Sequence, residues 1–169
     1  MRNSPESKRG ATSSRIARCR SRCPWWDLLA FNHTYAALIG GLEDRPSAER
    51  NILWLTFAQS HMSHLLVDWP VQARQLVGQL RTHLAEFPAD PRGPELVEAL
   101  RTASPKFTDL WKENDVRQFE TARKRFLHPD AGRLDLDYVK LEIADHDQQH
   151  LVVFLPADKA GASKLVGLN

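Results

Sequence analysis

The spacing of hydrophobic residues divides the chain into a short bulky run, a long helical middle and a strand-like end. Residues 25–31 (WWDLLAF) have the bulk and length of a short strand. The sequence TYAALIGGL at 34–42 predicts a short helix that ends near Gly40. Residues 43–69 predict a longer helix that begins near Pro46, because their apolar positions recur at helical spacing.

Three further helices are predicted between this segment and the end of the middle region. The helix that starts at Pro70 has one apolar stripe, formed by Leu76, Val77, Leu80 and Leu84. The Pro- and Asp-rich residues 88–94 predict a loop. A shorter helix follows around Leu96 and Leu100, and Ser104 before a proline predicts the start of another.

The last part of the chain has the pattern of an antiparallel sheet. Leu134, Leu136 and Tyr138 alternate with charged residues, as expected of a half-buried strand. Polar turns are predicted at 128–132 and 145–149. The predicted strands are 116–120, 124–127, 134–138 and 150–155. A strand, a block of helices and then several antiparallel strands predict an α+β fold.

Charge separates a basic N-terminal segment from an acidic body. Residues 1–24 hold seven of the 23 basic residues and one of the 21 acidic ones, so the rest has 16 basic and 20 acidic residues, a net charge of −4. The segment is Ser- and Arg-rich with few large apolar residues, which predicts a disordered tail. An acidic body predicts no intrinsic affinity for phosphate. Without an apolar segment long enough to span a membrane or a secretory signal, we expect a cytoplasmic protein with no membrane partner.

Histidines and cysteines are the candidate metal ligands, and their spacing does not complete a site. Cys19 and Cys23 lie in the basic segment without a second ligand pair. His61 and His64 share a predicted helix with Asp68, but no further ligand follows at a suitable spacing. His146 and His150 fall on a turn and a strand, and we expect these histidines to be solvated or capping residues. No metal or other cofactor is therefore predicted.

The sequence contains no pattern of a catalytic nucleophile. It lacks G-x-S-x-G, and no phosphate-binding glycine loop is present. Asp135 and Asp137 alternate with apolar residues, so we expect them on the solvated face of their strand. The chain is not expected to be an enzyme.

Aromatic residues on the predicted elements leave two interpretations open. Trp54, Phe57, Trp111 and Tyr138 either form ordinary core or line a cleft between the helices and the sheet. Arg74 lies beside the apolar stripe of its helix. It either contacts a carboxylate or extends its guanidinium into water.

Several segments of the sequence resemble one family, the ligand-binding domain of MmyB-like transcription regulators. They occur in the family's order and include a tryptophan at a helix end and the turn K-R-F-x-H-P-x-x-G-x-L. The resembling segments are WDLLAFN (26–32), ERNILWLTF (49–57), DWPVQARQLVGQLR (68–81), SPKFTDLWKENDVR (104–117), RKRFLHPDAGRLDLDY (123–138) and QHLVVFLPAD (149–158).

The resemblance implies a PAS-like α+β fold, with one antiparallel sheet covered on one face by helices, over residues 25–169. It also implies a bacterial regulator with a helix-turn-helix domain, a fatty acid or similar lipophilic ligand, and a dimer. From the predicted helix and strand faces we expect Arg74 at the ligand's head group. The expected lining residues are Trp54, Phe57, Leu76, Leu80, Trp111 and Tyr138.

The sequence departs from the family at its N-terminal end. We expect no helix-turn-helix in this chain, and IARCRSRCP replaces the apolar strand expected before Trp26. We therefore expect no specific DNA binding by this chain alone. The leading interpretation is a ligand sensor. The alternative is a dimerisation partner of full-length relatives, or a truncated remnant of such a regulator.

Overall fold

A computed structural model describes residues 17–22, 25–113, 123–143 and 149–168. The described strands form a five-stranded sheet in the order β2-β1-β5-β4-β3, and every neighbouring pair is antiparallel. The strands are β1 Ala17–Arg22, β2 Asp27–Phe31, β3 Arg123–His128, β4 Gly132–Glu142 and β5 Gln149–Pro156.

Among the described residues, six α-helices lie between β2 and β3, and a seventh follows β5. The helices are α1 His33–Ile39, α2 Ile52–Ala58, α3 Met62–Leu65, α4 Trp69–Glu86, α5 Arg92–Ala103, α6 Pro105–Lys112 and α7 Lys159–Val166. The predicted α+β class is confirmed. The strand predicted at 116–120 and most of the turn predicted at 145–149 lie outside the described residues.

The basic segment contributes a strand, which corrects the prediction of a disordered tail through residue 24 and of a missing first strand. The Ala17–Arg22 strand pairs with β2 on one side and β5 on the other. Small residues alternate with arginines over this stretch of sequence, which is the two-residue period of a strand. Backbone hydrogen bonds to two neighbours stabilise an extended segment whatever its composition.

The long helix predicted over 43–69 is divided into shorter pieces. A 3-10 turn at Ser47–Glu49 precedes α2, and α3 is a separate single turn. Asn51 caps α2, because its side-chain oxygen accepts hydrogen bonds from the backbone N–H groups of Leu53 (2.9 Å) and Trp54 (3.1 Å). The helix therefore begins at Ile52 rather than near Pro46.

Two apolar clusters form the core. The sheet cluster lies where one face of the sheet meets α1, α3 and α7, and it includes Phe126, Leu134, Leu136 and Phe154. The helical cluster is built from α2, α4, α5 and α6 together with Trp25. Trp69, at the start of α4, packs against both clusters. We call the sheet face with the first cluster the inner face.

The opposite, outer face of the sheet carries exposed apolar residues. Leu127, Leu141 and Leu155 alternate with the inner-face positions of β3, β4 and β5, and Leu127 is 56% exposed. Asp135 and Asp137 also lie on the outer face, paired with Arg133 (2.9 Å) and Arg123 (2.7 Å). The sheet is thus covered by helices on the inner face, as predicted.

Candidate functional site

Five of the six predicted lining residues come together in the helical cluster. Phe57 and Leu80 are buried there, and Trp54, Leu76 and Trp111 are half-buried against it. The ring of Phe107 lies between two of them: it packs edge-to-face on Phe57, with centroids 5.1 Å apart, and is stacked on Trp111, with centroids 5.5 Å apart. This continuous packing is typical of a helical core.

Tyr138, the sixth, lies in a different place. It packs against the sheet cluster on the inner face, with its ring 5.6 Å from the ring of Phe154. The ammonium group of Lys124 lies 5.1 Å from the centre of the Tyr138 ring. The predicted lining set is therefore divided between the two clusters.

The structure places Arg74 at the surface. Its side chain is 55% exposed and faces Glu113, which is also exposed, at 3.6 Å. Such a pair contributes about 0–1 kcal/mol to stability. Of the two arrangements that the sequence left open for Arg74, the structure therefore has the one with the guanidinium in water, and its acidic partner Glu113 is exposed as well.

The candidate metal ligands serve other purposes. The Nε2 atom of His61 lies 2.9 Å from the backbone oxygen of Ile39. Asp68 forms a two-pronged ion pair with Arg125, and the hydrogen bond from this guanidinium lowers the pKa of the Asp68 carboxyl. His146 lies outside the described residues. Within the described part of the chain, no group of three His, Cys, Asp or Glu side chains is placed to hold a metal ion.

The inner face of the sheet changes from apolar to charged along β4 and β5. Beyond Tyr138 and its partner Phe154, the next inner positions are Lys140 opposite Val152 and Glu142 opposite His150. Sequence reasoning missed this group. The alternation seen over 134–138 continues into charged residues, and that continuation is the signal that could have found it.

The C-terminal half of α4 reaches the same end of the sheet. The ring of His83 packs edge-on against Trp26, with centroids 4.9 Å apart. Trp26, just before β2, has a φ of 56°, and it is the only non-glycine residue in the described ranges with a positive φ. A bulky side chain rarely adopts this backbone conformation, and such strain is concentrated at functional sites. His83 and Trp26 are therefore in contact beside the start of β2.

The pKa of His150 is lowered mainly by burial and next by the positive charge of Lys140, and His83 adds a smaller effect in the same direction. Glu142 acts in the opposite direction without reversing the shift. The Nδ1 atom of His150 is buried and has no hydrogen-bond partner within the described residues. Lys140, Glu142 and His150 therefore all lie on the inner side of the same ends of β4 and β5.

No helix in the described ranges is long and apolar enough to cross a membrane. No curated protein matches the sequence. The family model of the MmyB-like transcription regulator ligand binding domain matches residues 23–168. This match covers most of the chain, and the chain therefore belongs to the family of MmyB-like transcription regulator ligand-binding domains.

Proposed function

We propose that this domain senses a fatty acid or a similar lipophilic molecule in the bacterial cytoplasm and thereby controls transcription, without catalysing a reaction. Membership of the family supports a small-molecule ligand. The observation that carries the lipophilic assignment is the inner face of the sheet, which is apolar at Tyr138 and Phe154 and polar at Lys140, Glu142 and His150. An amphipathic molecule with a polar end matches this gradient.

The affinity of such a ligand depends mainly on its alkyl chain. Each buried methylene contributes about 0.8 kcal/mol. A chain of about a dozen therefore contributes roughly 10 kcal/mol, before the loss of translational and rotational freedom costs several kcal/mol. With a cost of about 4 kcal/mol the net gain is about 6 kcal/mol, which corresponds to a dissociation constant of tens of micromolar.

We also propose that the domain acts as a homodimer or as a heterodimer with full-length relatives. The exposed leucines of the outer face, Leu127, Leu141 and Leu155, support this proposal, since apolar side chains exposed along a sheet face can pack against a second chain. Acting as the partner of a relative in such a heterodimer is the alternative function.

The ligand proposal is tested on the purified chain. Native mass spectrometry first shows whether a fatty acid co-purifies at about one per chain. The delipidated protein is then titrated with myristate and its thermal unfolding is recorded. At 100 times the dissociation constant the ligand adds about 2.7 kcal/mol, which raises Tm by about 5–10 °C. No bound lipid and no rise in Tm would refute the assignment.

The dimer proposal has a separate test. Sedimentation velocity measures the mass of the wild-type chain and of Leu141→Lys, in which a charge replaces an exposed outer-face leucine. We expect a dimer that dissociates in the variant. A monomeric wild-type chain, or a dimer that tolerates the substitution, would contradict an outer-face interface.

A further inference from the structure

Residues 25–27, which we call the connector, lead from β1 into β2 and contact the helices as well as the sheet. The backbone oxygen of Trp26 accepts a hydrogen bond from the N–H of Ile52, the first residue of α2, at 3.0 Å. The Asp27 carboxylate accepts a hydrogen bond from Arg92, the first residue of α5, at 3.0 Å. The connector therefore joins the first two strands to α2 and to α5.

The side chain of Trp25 fills a pocket between the end of α4 and the start of α5. It is 4% exposed, and its Nε1–H donates a hydrogen bond to Oδ2 of Asp90 at 2.7 Å. A Cβ atom at Gly93 would collide with the six-membered ring of the indole and with the Leu84 side chain. We call this place, lined by Leu84, Asp90 and Gly93, the indole pocket. The indole lies in it as a small ligand would, with apolar contacts and one hydrogen bond.

The hydrogen-bond acceptor of the indole pocket is positioned by the helices and not by the connector. Oδ1 of Asp90 accepts a hydrogen bond from the backbone N–H of Arg92 at 2.9 Å, which turns Oδ2 toward Trp25. Apolar cavities in helical cores bind flat aromatic molecules when the side chain that fills them is removed. The indole pocket therefore suits a free aromatic ring that carries one N–H donor.

Two features oppose the closed state of the connector. Trp26 has a φ of 56°, a backbone conformation that a bulky side chain adopts only when its surroundings enforce it. The side chains of Arg92 and Asp27 are 36% and 27% exposed, so water and salt compete with their ion pair. A strained segment that is held by one buried ring and by partly exposed polar contacts can open locally before the whole domain unfolds.

We propose that the connector is a releasable link between the helices and β1, in which Trp25 is a tethered ligand of the indole pocket. When Trp25 leaves the pocket, β1 and β2 lose their contacts with α2 and α5, while β3, β4 and β5 stay paired. A change in the packing of α4 against α5 is thereby passed to β1, which lies between β2 and β5 in the sheet. This coupling goes beyond the proposed function and does not depend on a lipid ligand.

The indole pocket is tested by emptying it and refilling it. Trp25→Gly removes the ring, and free indole is the probe that replaces it. Indene has the same two fused rings without the N–H, so the comparison measures the contribution of Asp90. We expect indole to raise the Tm of Trp25→Gly by several degrees and indene to raise it less. Neither probe should change the Tm of the wild-type protein, because Trp25 already occupies the pocket.

Hydrogen exchange followed by mass spectrometry measures the release of the strands. In Trp25→Gly, peptides from β1 and β2 should exchange about tenfold faster or more, since a hydrogen bond to a charged group is worth at least this factor. Peptides from β3 and β4 should keep the wild-type rate. Indole should restore protection at the end of α4 and the start of α5 but not in β1 and β2, because free indole is not attached to the connector.

Arg92→Gln tests the link without changing a residue that lines the indole pocket. It removes the ion pair with Asp27, so β1 and β2 should exchange several-fold faster than in the wild-type protein. Arg101→Gln is the matched control, because Arg101 is an exposed arginine of the same helix whose partner Glu98 is also exposed. Its exchange should equal that of the wild-type protein throughout.

Three results overturn the inference. A Trp25→Gly protein that gains no stability from indole rejects the indole pocket. Unchanged exchange of β1 and β2 in Arg92→Gln, or an equal rise in β3 and β4, rejects the separate release of the first strands, and this result decides the matter if Trp25→Gly does not fold. Recovery of β1 and β2 with free indole shows that helix packing, and not the tether, protects them. The lipid proposal stands or falls independently of all three.

Discussion

Gly93 lies in the first turn of α5, where the structure leaves no room for a side chain. A Cβ atom at this position would lie 2.6 Å from Cζ3 of the Trp25 ring and 2.5 Å from Cδ2 of Leu84. The indole is fixed in place, because its Nε1 atom donates a hydrogen bond to Asp90 at 2.7 Å. The backbone oxygen of Trp25 also accepts a hydrogen bond from Asn51. Gly93→Ala therefore forces either α5 or the indole to move.

The expected cost follows from two opposing effects. Adding a methyl group to a packed core costs about 1–3 kcal/mol. Alanine is favoured over glycine in a helix by about 1 kcal/mol at most. The free energy of unfolding should therefore fall by about 1–2 kcal/mol. Gly78→Ala is the matched control, because a Cβ atom at Gly78, in the middle of α4, has no heavy atom within 4 Å. This control should gain about 0.5–1 kcal/mol.

Urea unfolding followed by tryptophan fluorescence and by circular dichroism measures both variants. The urea midpoints of the three proteins can be compared if the slope of the unfolding free energy against urea concentration is the same for all three and by both optical probes. The Tm of Gly93→Ala should fall by a few degrees, while that of Gly78→Ala rises. If Gly93→Ala is as stable as the wild-type protein, the close approach of α5 to Trp25 is wrong.

Three further predictions concern single side chains. Asn51→Ala should lower the free energy of unfolding in urea by about 3 kcal/mol, because the buried Asn51 side chain caps α2 and also donates a hydrogen bond to the backbone oxygen of Trp25. The matched cap variant Asn32→Ala should lower it by about 1 kcal/mol. The hydrogen bond from Arg125 lowers the pKa of Asp68 from 3.8, so the pair's contribution is present above pH 3.8 and lost as the pH falls through the lowered value. The stability difference between wild type and Asp68→Asn should therefore shrink in acid, and a constant difference would contradict the pair. Burial lowers the pKa of His150 from 6.5, so the unfolded chain binds more protons than the folded chain just below pH 6.5. The free energy of unfolding of the wild-type protein should therefore decrease as the pH falls below 6.5. His150→Gln should lose this part of the pH dependence, whereas an unchanged curve would show that the ring is solvated.

Local patterns predicted the elements whose signals lie within a few residues of each other. Ser104 was expected to begin a helix, and its side-chain oxygen accepts a hydrogen bond from the backbone N–H of Phe107 at 3.2 Å. Alternation over 134–138 predicted β4, and Leu134 and Leu136 are buried on its inner face. Caps and strand periodicity depend on neighbouring residues, so the sequence alone carries them.

The Ala17–Arg22 strand shows the opposite case. Its composition is that of a disordered segment, and its place in the sheet depends on β5, which lies more than a hundred residues later in the chain. No local signal reports such a partner. The helix break after Ala58 was missed in the same way, since the apolar spacing continues across it to Met62 and Leu65.

The candidate site illustrates why periodicity does not identify a ligand contact. On α4 the buried stripe is centred on Ala73, Val77 and Leu80. At about 100° per residue, Arg74 and His83 lie on opposite flanks of this stripe, and a helical pattern treats the two flanks alike. The structure separates them: Arg74 is turned toward Glu113 just beyond α6, whereas His83 meets Trp26 at the end of the sheet. The buried face of a helix follows from its sequence, but the flank that meets the sheet is decided by the tertiary fold.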